Sequence, residues 1–151
     1  MLQETDFRLV PYVAVEPIFF GMSGSDVEQL LGKPHAVTIN TRGERDEQRG
    51  SISVRYAVGD GGVVEVAFIP GVKVSYEGCN LFEVNDVVAF LSRYDEELYE
   101  FVGFLISLKL GVTLTGFHDK DGSQKAITVF DRGRWDAHRA QFQVFQRVGS
   151  K

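Results

Sequence analysis

Two segments sixty residues apart share one pattern. The first reads Ser25-Asp26-Val27-Glu28-Gln29-Leu30-Leu31 and the second Asn85-Asp86-Val87-Val88-Ala89-Phe90-Leu91. Each joins polar residues suited to a helix start with an apolar stripe, and strand-like sequence follows each. The echo predicts one unit, a helix followed by a sheet, built twice. The two pseudo-repeats would span about 18–78 and 80–131, within a single domain of residues 1–151 that ends in a C-terminal tail at 132–151.

Size and composition indicate one soluble domain. The chain has 151 residues, of which 44% are hydrophobic, enough for a sizeable core. Its net charge of −5 argues against general nucleic-acid binding, which needs a basic surface. The single Cys79 cannot form an internal disulfide, and residues 1–7 lack signal-peptide features. No apolar run approaches the roughly 20 residues that span a bilayer. We therefore expect a cytoplasmic bacterial protein with no membrane partner.

The two helices have recognisable ends. Ser23 is suited to cap the first helix, and Gly32 and Pro34 are suited to end it. Val27, Leu30 and Leu31 share one helical face between them. The second helix is predicted at about 83–94 by the same kind of apolar stripe.

The clearest strand signal is a hairpin between residues 51 and 68, where apolar and polar residues alternate. A three-residue loop with Gly61 in the left-handed region would fix its register. The predicted pairs are Tyr56 with Val64, Val54 with Val66, Ile52 with Phe68, and Arg55 with Glu65.

Further extended segments surround this hairpin. Residues 7–20 predict an N-terminal extended segment or edge strand, 72–76 a strand, and 101–117 a strand region interrupted at Gly111. Residues 118–123 predict a turn that leads into a strand at 125–130, and the tail from Arg134 favours a helix. The polar segment 42–50 is interpreted as a solvated loop or hairpin tip, with a charged contact site as the alternative.

Together these elements predict an α+β fold, in which helices pack on one face of an antiparallel sheet in two helix–meander pseudo-repeats. The opposite face of the sheet would then stay open for binding.

The run Phe20-Gly21-Met22-Ser23, followed by Asp26-Val27, Leu30-Leu31-Gly32 and Pro34, resembles a known signature. It is similar to that of small bacterial proteins of the SmpA/OmlA type and of proteins with folds like the β-lactamase inhibitor protein. The resemblance covers about 15 residues and implies helix-plus-antiparallel-sheet repeats that act as protein-binding surfaces. SmpA/OmlA lipoproteins carry a signal peptide and a lipidated N-terminal Cys, and neither is found in this sequence. The resemblance therefore implies an architecture and no named partner.

The sequence contains no recognisable catalytic or metal-binding constellation. His35, His118 and His138 are scattered, without the spacing of metal ligands. Asp119-Lys120-Asp121-Gly122 lacks the further carboxylates of a calcium loop and is interpreted as a turn. Cys79 has no base nearby in the sequence. We therefore predict no enzyme activity, no metal and no cofactor.

The leading functional hypothesis is a non-enzymatic protein-binding module, with an immunity- or inhibitor-type protein as its more specific form. Its predicted contact residues are outward sheet positions and one tail aromatic: Arg55, Glu65, Lys73, Glu77, Lys109 and Trp135. The basic tail could bind an acidic partner or fold back on the acidic segment 83–100. One alternative is a small-molecule-binding or enzymatic domain with a cleft between helices and sheet, where His118 would act with a carboxylate. Another is a homo-oligomer joined through open sheet faces.

Overall fold

The computed structural model describes residues 6–59, 61–117 and 125–146, and this part of the chain is mostly β-structure. Its fourteen strands are β1 (Asp6–Val10), β2 (Ala14–Glu16), β3 (Ile18–Phe19), β4 (Ala36–Ile39), β5 (Arg45–Arg49), β6 (Ile52–Tyr56), β7 (Val63–Phe68), β8 (Lys73–Tyr76), β9 (Cys79–Asn80), β10 (Tyr99–Phe101), β11 (Phe104–Ser107), β12 (Val112–Thr115), β13 (Ala126–Phe130) and β14 (Gln143–Val144). The helices are α1 (Gly24–Leu31), α2 (Val87–Ser92) and a 3-10 helix at Asp136–Gln141.

The strands form two sheets. The larger has nine strands in the order β14-β10-β11-β12-β13-β7-β6-β5-β4, and every neighbouring pair is antiparallel. The smaller has the order β3-β2-β1-β8-β9, in which β1 and β8 run parallel. The N-terminal strand β1 is therefore central in its sheet, and the prediction of an edge strand was wrong.

One hydrophobic core lies between the two sheets. Phe7 on β1 is fully buried, and its ring centroid is 5.1 Å from that of Phe68 on β7. The layer opposite the nine-stranded sheet is itself a sheet, which supplies to the core Phe7, Leu9, Val15, Ile18 and Val74. The helices are short: α1 buries only Val27, and α2 has six residues, of which four are buried. The α+β prediction with helices covering one sheet face was therefore wrong.

The sequence echo does not define a repeated unit of the fold. In α1 the Ser23 hydroxyl caps the helix by accepting the Asp26 N–H at 3.1 Å, as predicted. In α2 the cap is Asp86, the residue that matches Asp26 in the echo. Equivalent positions thus have different roles, and the internal-repeat prediction is not supported. A seven-residue match records only the apolar spacing of a short helix, which many sequences satisfy.

The predicted hairpin is confirmed over most of its length. Ile52, Val54 and Arg55 pair with Phe68, Val66 and Glu65 as expected. The register then shifts, so that Tyr56 pairs with Val63 and not with Val64. The left-handed glycine is Gly59 (φ 76°), and the assignment to Gly61 was wrong.

Residues 42–44 lie in the turn of the β4–β5 hairpin, but the solvated-loop prediction was wrong for the rest of the polar segment 42–50, since Arg45–Arg49 form the interior strand β5. Its buried charges are paired partly across the chain, as Glu44 with Arg134, and partly within the segment, as Glu47 with Arg49. The predicted strand region 101–117 is divided between the end of β10 and the short strands β11 and β12. The tail forms a 3-10 helix in place of an α-helix, and the second helix, Val87–Ser92, is shorter than the predicted 83–94. The predicted turn at 118–123 lies outside the described residues.

Candidate functional site

A pocket of about 300 Å³ lies on the face of the nine-stranded sheet that points away from the main core. It is here called the arginine–aromatic pocket. Six strands and the C-terminal segment supply most of its lining, which consists of Arg42, Arg55, Glu65, Phe101, Phe104, Thr113, Thr128, Arg134, Trp135 and His138. Strand alternation explains this lining, because Val54 and Tyr56 point into the core and Arg55 between them points the other way.

Arg134 holds the C-terminal segment to the sheet through two carboxylates. Its Nη1 donates to Glu44 Oε2 at 2.6 Å, and its Nη2 donates to Glu65 Oε1 at 3.0 Å. Glu44 is almost fully buried and also accepts from Asn40 Nδ2 at 2.9 Å. This guanidinium therefore joins three distant parts of the chain through charge-assisted hydrogen bonds.

Arg55 extends the network along the sheet. Its Nη2 donates to Asp46 Oδ2 at 2.8 Å, and its Nη1 lies 3.4 Å from Glu65 Oε2. Two buried atoms here, Arg55 Nε and Asp46 Oδ1, have no hydrogen-bond partner within the described part of the chain. A buried polar atom without a partner is energetically costly, and this network leaves one donor and one acceptor unused by its own residues.

The network shifts the protonation of Glu44. Hydrogen bonding from Arg134, helped by Asn40, outweighs the effect of burial and lowers the pKa of Glu44 to about 2. For Arg134, burial lowers the pKa, but its contacts with Glu44 and Glu65 raise it by more, so the net shift is upward. Both groups are charged at neutral pH, and the pocket wall keeps its ionic form.

Aromatic rings form the other wall. Trp135 is the centre of this cluster, with its ring centroid 5.5 Å from Phe104, 6.1 Å from Phe101 and 5.9 Å from Phe142. The His138 ring stacks on Phe101 at 5.2 Å. The tail folds back on the protein, onto β10 and β11, and Phe145 reaches the acidic segment 83–100. Its N–H donates to the Leu98 carbonyl at 2.8 Å, and Phe145 lines a pocket with Val88 and Ala89 of α2.

A second ionic cluster lies on the other face of β5 and plays a structural role. Glu47 is buried and accepts from Arg45 Nε at 2.9 Å, Arg49 Nη2 at 3.0 Å and the Tyr56 hydroxyl at 2.9 Å. Burial raises the pKa of Glu47, but these hydrogen bonds lower it by more. Arg49 Nε also donates to the Gly32 carbonyl at 2.7 Å and so ties the end of α1 to the sheet.

The structure brings together half of the predicted contact residues. Arg55, Glu65 and Trp135 all line the arginine–aromatic pocket. The other three do not line this pocket. Lys73 and Glu77 lie close together at the five-stranded sheet, where Lys73 Nζ is 3.9 Å from Asp6 Oδ2. Lys109 is exposed in the turn between β11 and β12.

Sequence reasoning missed Glu44, Asp46 and Arg134. No periodic signal in 44–49 marked these residues, because Glu47 is acidic between the basic positions 45 and 49 and the charge sign therefore does not alternate along the strand.

The described residues contain neither a candidate metal site nor a candidate membrane-spanning helix. No group of three or more His, Cys, Asp and Glu side chains is placed there to hold a metal ion. No helix in the same ranges has the length and apolar character needed to cross a membrane. His118 lies outside the described residues.

Comparison with known proteins supports the fold alone. No protein-family model and no curated protein matches the chain. A solved structure of an extracellular protein containing an SCP domain, from Bacillus anthracis str. Ames, matches with a TM-score of 0.50 and 13% identity. The match covers 83% of this chain and 48% of that protein, so this chain spans about half the length of its structural neighbour.

Proposed function

We propose that the protein is a non-enzymatic protein-binding module that receives an acidic side chain of its partner in the arginine–aromatic pocket. The observation that carries this proposal is the lining itself. Three arginines and the half-buried Trp135 line the pocket. Arg55 and Arg134 are paired with Asp46, Glu44 and Glu65, so Arg42 keeps the most charge for a partner. Trp and Arg dominate the energetics of protein interfaces, and a guanidinium recognises a carboxylate through paired hydrogen bonds.

Arg42 is the best-placed group to meet a partner. Its side chain is 58% exposed, and its Nη2 lies 3.2 Å from Glu44 Oε1, a carboxylate that Arg134 already pairs. Its charge is therefore only partly compensated within the protein. An immunity- or inhibitor-type role and a cytoplasmic location, which fits the free Cys79, belong to the same proposal.

The test is affinity capture from native lysate with tagged wild-type protein and two charge reversals, read by mass spectrometry. Arg42→Glu changes the pocket, whereas Lys109→Glu reverses an exposed cation away from it. Support for the proposal is one stoichiometric partner that wild type and Lys109→Glu retain and Arg42→Glu loses. A partner that all three proteins retain, or no partner at all, contradicts it.

A second candidate is the binding of a small carboxylate. It is favoured by the pocket volume of about 300 Å³ and by the convergence of Arg55, Glu65 and His138 on it. Trp135 is the only tryptophan, so its fluorescence reports directly on this pocket. Titration with benzoate should give a saturable change in wild type that Arg42→Met loses. A linear response, identical in both proteins, argues against this candidate.

A further inference from the structure

A second surface, the outer edge of β4, is open at the end of the nine-stranded sheet. β4 pairs with β5 on one side, and none of the described residues pairs with its other side. Val37 and Ile39 on this strand are 52% and 61% exposed. Exposed apolar residues on an unpaired edge are unusual, because such an edge can template pairing with another chain.

The register shows which backbone groups are free. Asn40 N–H donates to the Glu44 carbonyl at 3.0 Å, and Thr38 pairs with Asp46 in the same register. In an antiparallel ladder, hydrogen-bonded pairs alternate with pairs that are not bonded. The N–H and C=O groups of Val37 and Ile39 therefore point away from β5, towards the open edge.

The edge is also positively charged at both ends. Lys33 lies before β4 and Arg42 after it, and residues 33–43 contain no Asp or Glu. This differs from the whole chain, whose net charge is −5. Screening limits charge effects to about 10 Å at moderate salt, so an approaching strand responds to these flanks more than to the whole-chain charge.

We propose that the free edge of β4 binds an extended segment of another protein, with β-branched residues at its centre and acidic residues at both ends. The inference rests on the proposed protein-binding role and adds the conformation and charge of the bound segment. The segment would extend the nine-stranded sheet by one strand, with backbone hydrogen bonds to Val37 and Ile39. Since Arg42 also lines the arginine–aromatic pocket, the edge and the pocket form one continuous surface.

A second copy of this chain fits the edge poorly. An antiparallel pair centred on Thr38, which joins Val37 to Ile39 of the second copy, would place Arg42 opposite Pro34 and next to Lys33 of the second copy, at both ends of the new ladder. Like charges facing each other across a strand pair destabilise it. The same geometry places the acidic ends of the proposed segment against Lys33 and Arg42.

The test uses purified full-length protein and fluorescein-labelled peptides, with binding followed by fluorescence anisotropy. One peptide has a Val-Thr-Ile-Thr-Val centre with two glutamates at each end, and the other has lysines in place of the glutamates. We expect the acidic peptide to bind at least tenfold more tightly. Equal affinities, or no binding of the acidic peptide at millimolar concentration, would overturn the proposal.

Variants then locate the binding. Ile39→Glu should weaken binding of the acidic peptide at least tenfold, whereas Val58→Glu, at a position equally exposed (62%), should change it less than threefold. The double variant Lys33→Glu with Arg42→Glu should prefer the lysine peptide. Equal effects of the two single variants, or an unchanged preference in the double variant, would contradict binding at this edge. The peptide experiment needs no natural partner and tests the edge through Ile39→Glu, whereas the lysate experiment tests the pocket through Arg42→Glu. Failure of one is therefore distinguishable from failure of the other.

Discussion

At the scale of single residues, the buried carboxylate of Glu44 makes the ion pair that most affects how stability depends on pH. It is 6% exposed and bonded to Arg134, a residue ninety positions later in the chain. Removing one partner of a buried ion pair costs about 3–5 kcal/mol, because the other charge stays buried without compensation. The contact therefore couples the C-terminal segment to β5 and makes the stability of the protein depend on pH.

We predict that acid removes this contribution. The pKa of Glu44 is lowered from 4.5 to about 2, so its stabilisation is complete above pH 4.5 and is lost as the pH falls towards 2. The shift corresponds to about 3 kcal/mol. Urea unfolding between pH 7 and pH 2 should show a decline that is smaller by about this amount in Glu44→Gln. The exposed Glu83→Gln should follow wild type, and parallel curves for wild type and Glu44→Gln would contradict the prediction.

At the scale of elements, a close backbone contact fixes the entry to α1. Gly21 N–H donates to the Val63 carbonyl at 2.9 Å, and Val63 N–H donates to the Met22 carbonyl at 2.9 Å. A Cβ on Gly62 would lie 2.2 Å from the Gly21 carbonyl oxygen. The segment before α1 is thus docked on the start of β7, which explains the glycine at 62, whereas Gly21 has a φ of 93° that favours glycine.

We predict that Gly62→Ala destabilises the protein by about 3 kcal/mol, because a backbone oxygen cannot move aside without breaking these hydrogen bonds. Gly78→Ala is the matched control. Its φ of 81° strains any side chain, but no atom lies within 4 Å of the added Cβ. The control should lose about 1 kcal/mol. Thermal unfolding measures both, and equal losses would show that the contact at Gly62 is not tight.

At the scale of the whole molecule, the N-terminal strand joins the two sheets into one core. Phe7 is fully buried on β1, next to Val74 on the parallel strand β8 and against Phe68 of the other sheet. The small sheet therefore has no separate core. This arrangement predicts that the sheets unfold together.

We expect Phe7→Ala to lower the free energy of unfolding by about 3–5 kcal/mol, a typical cost for truncating a buried Phe. Phe19→Ala, at a position 41% exposed on β3, should cost less than about 1 kcal/mol. Urea unfolding should be followed by Trp135 fluorescence, which reports on the nine-stranded sheet, and by far-UV circular dichroism. Both signals should shift equally in Phe7→Ala. A shift in circular dichroism alone would mean that the sheets unfold independently.

The sequence by itself determined those elements that are stabilised by residues near them in the chain. The Ser23 cap and the Gly32 end of α1 follow from hydrogen bonds within the helix, and the pairing of Ile52 with Phe68 follows from alternation in two adjacent strands. It also indicated that Arg55, Glu65 and Trp135 face outward, although not that they meet.

Only the tertiary structure decided the layer opposite the large sheet and the site itself. β5 has no apolar face. Arg55 on β6 compensates its Asp46, Arg134 compensates Glu44 just before the strand, and Glu47 is paired within β5 by Arg45 and Arg49. The parallel pairing of β1 with β8 joins residues more than sixty positions apart. Neither the pair of Arg134 with Glu44 nor the pairing of β1 with β8 leaves a periodic signal in its own segment, because the stabilising partner lies elsewhere in the chain. The same reason explains why the arginine–aromatic pocket emerged only from the folded molecule.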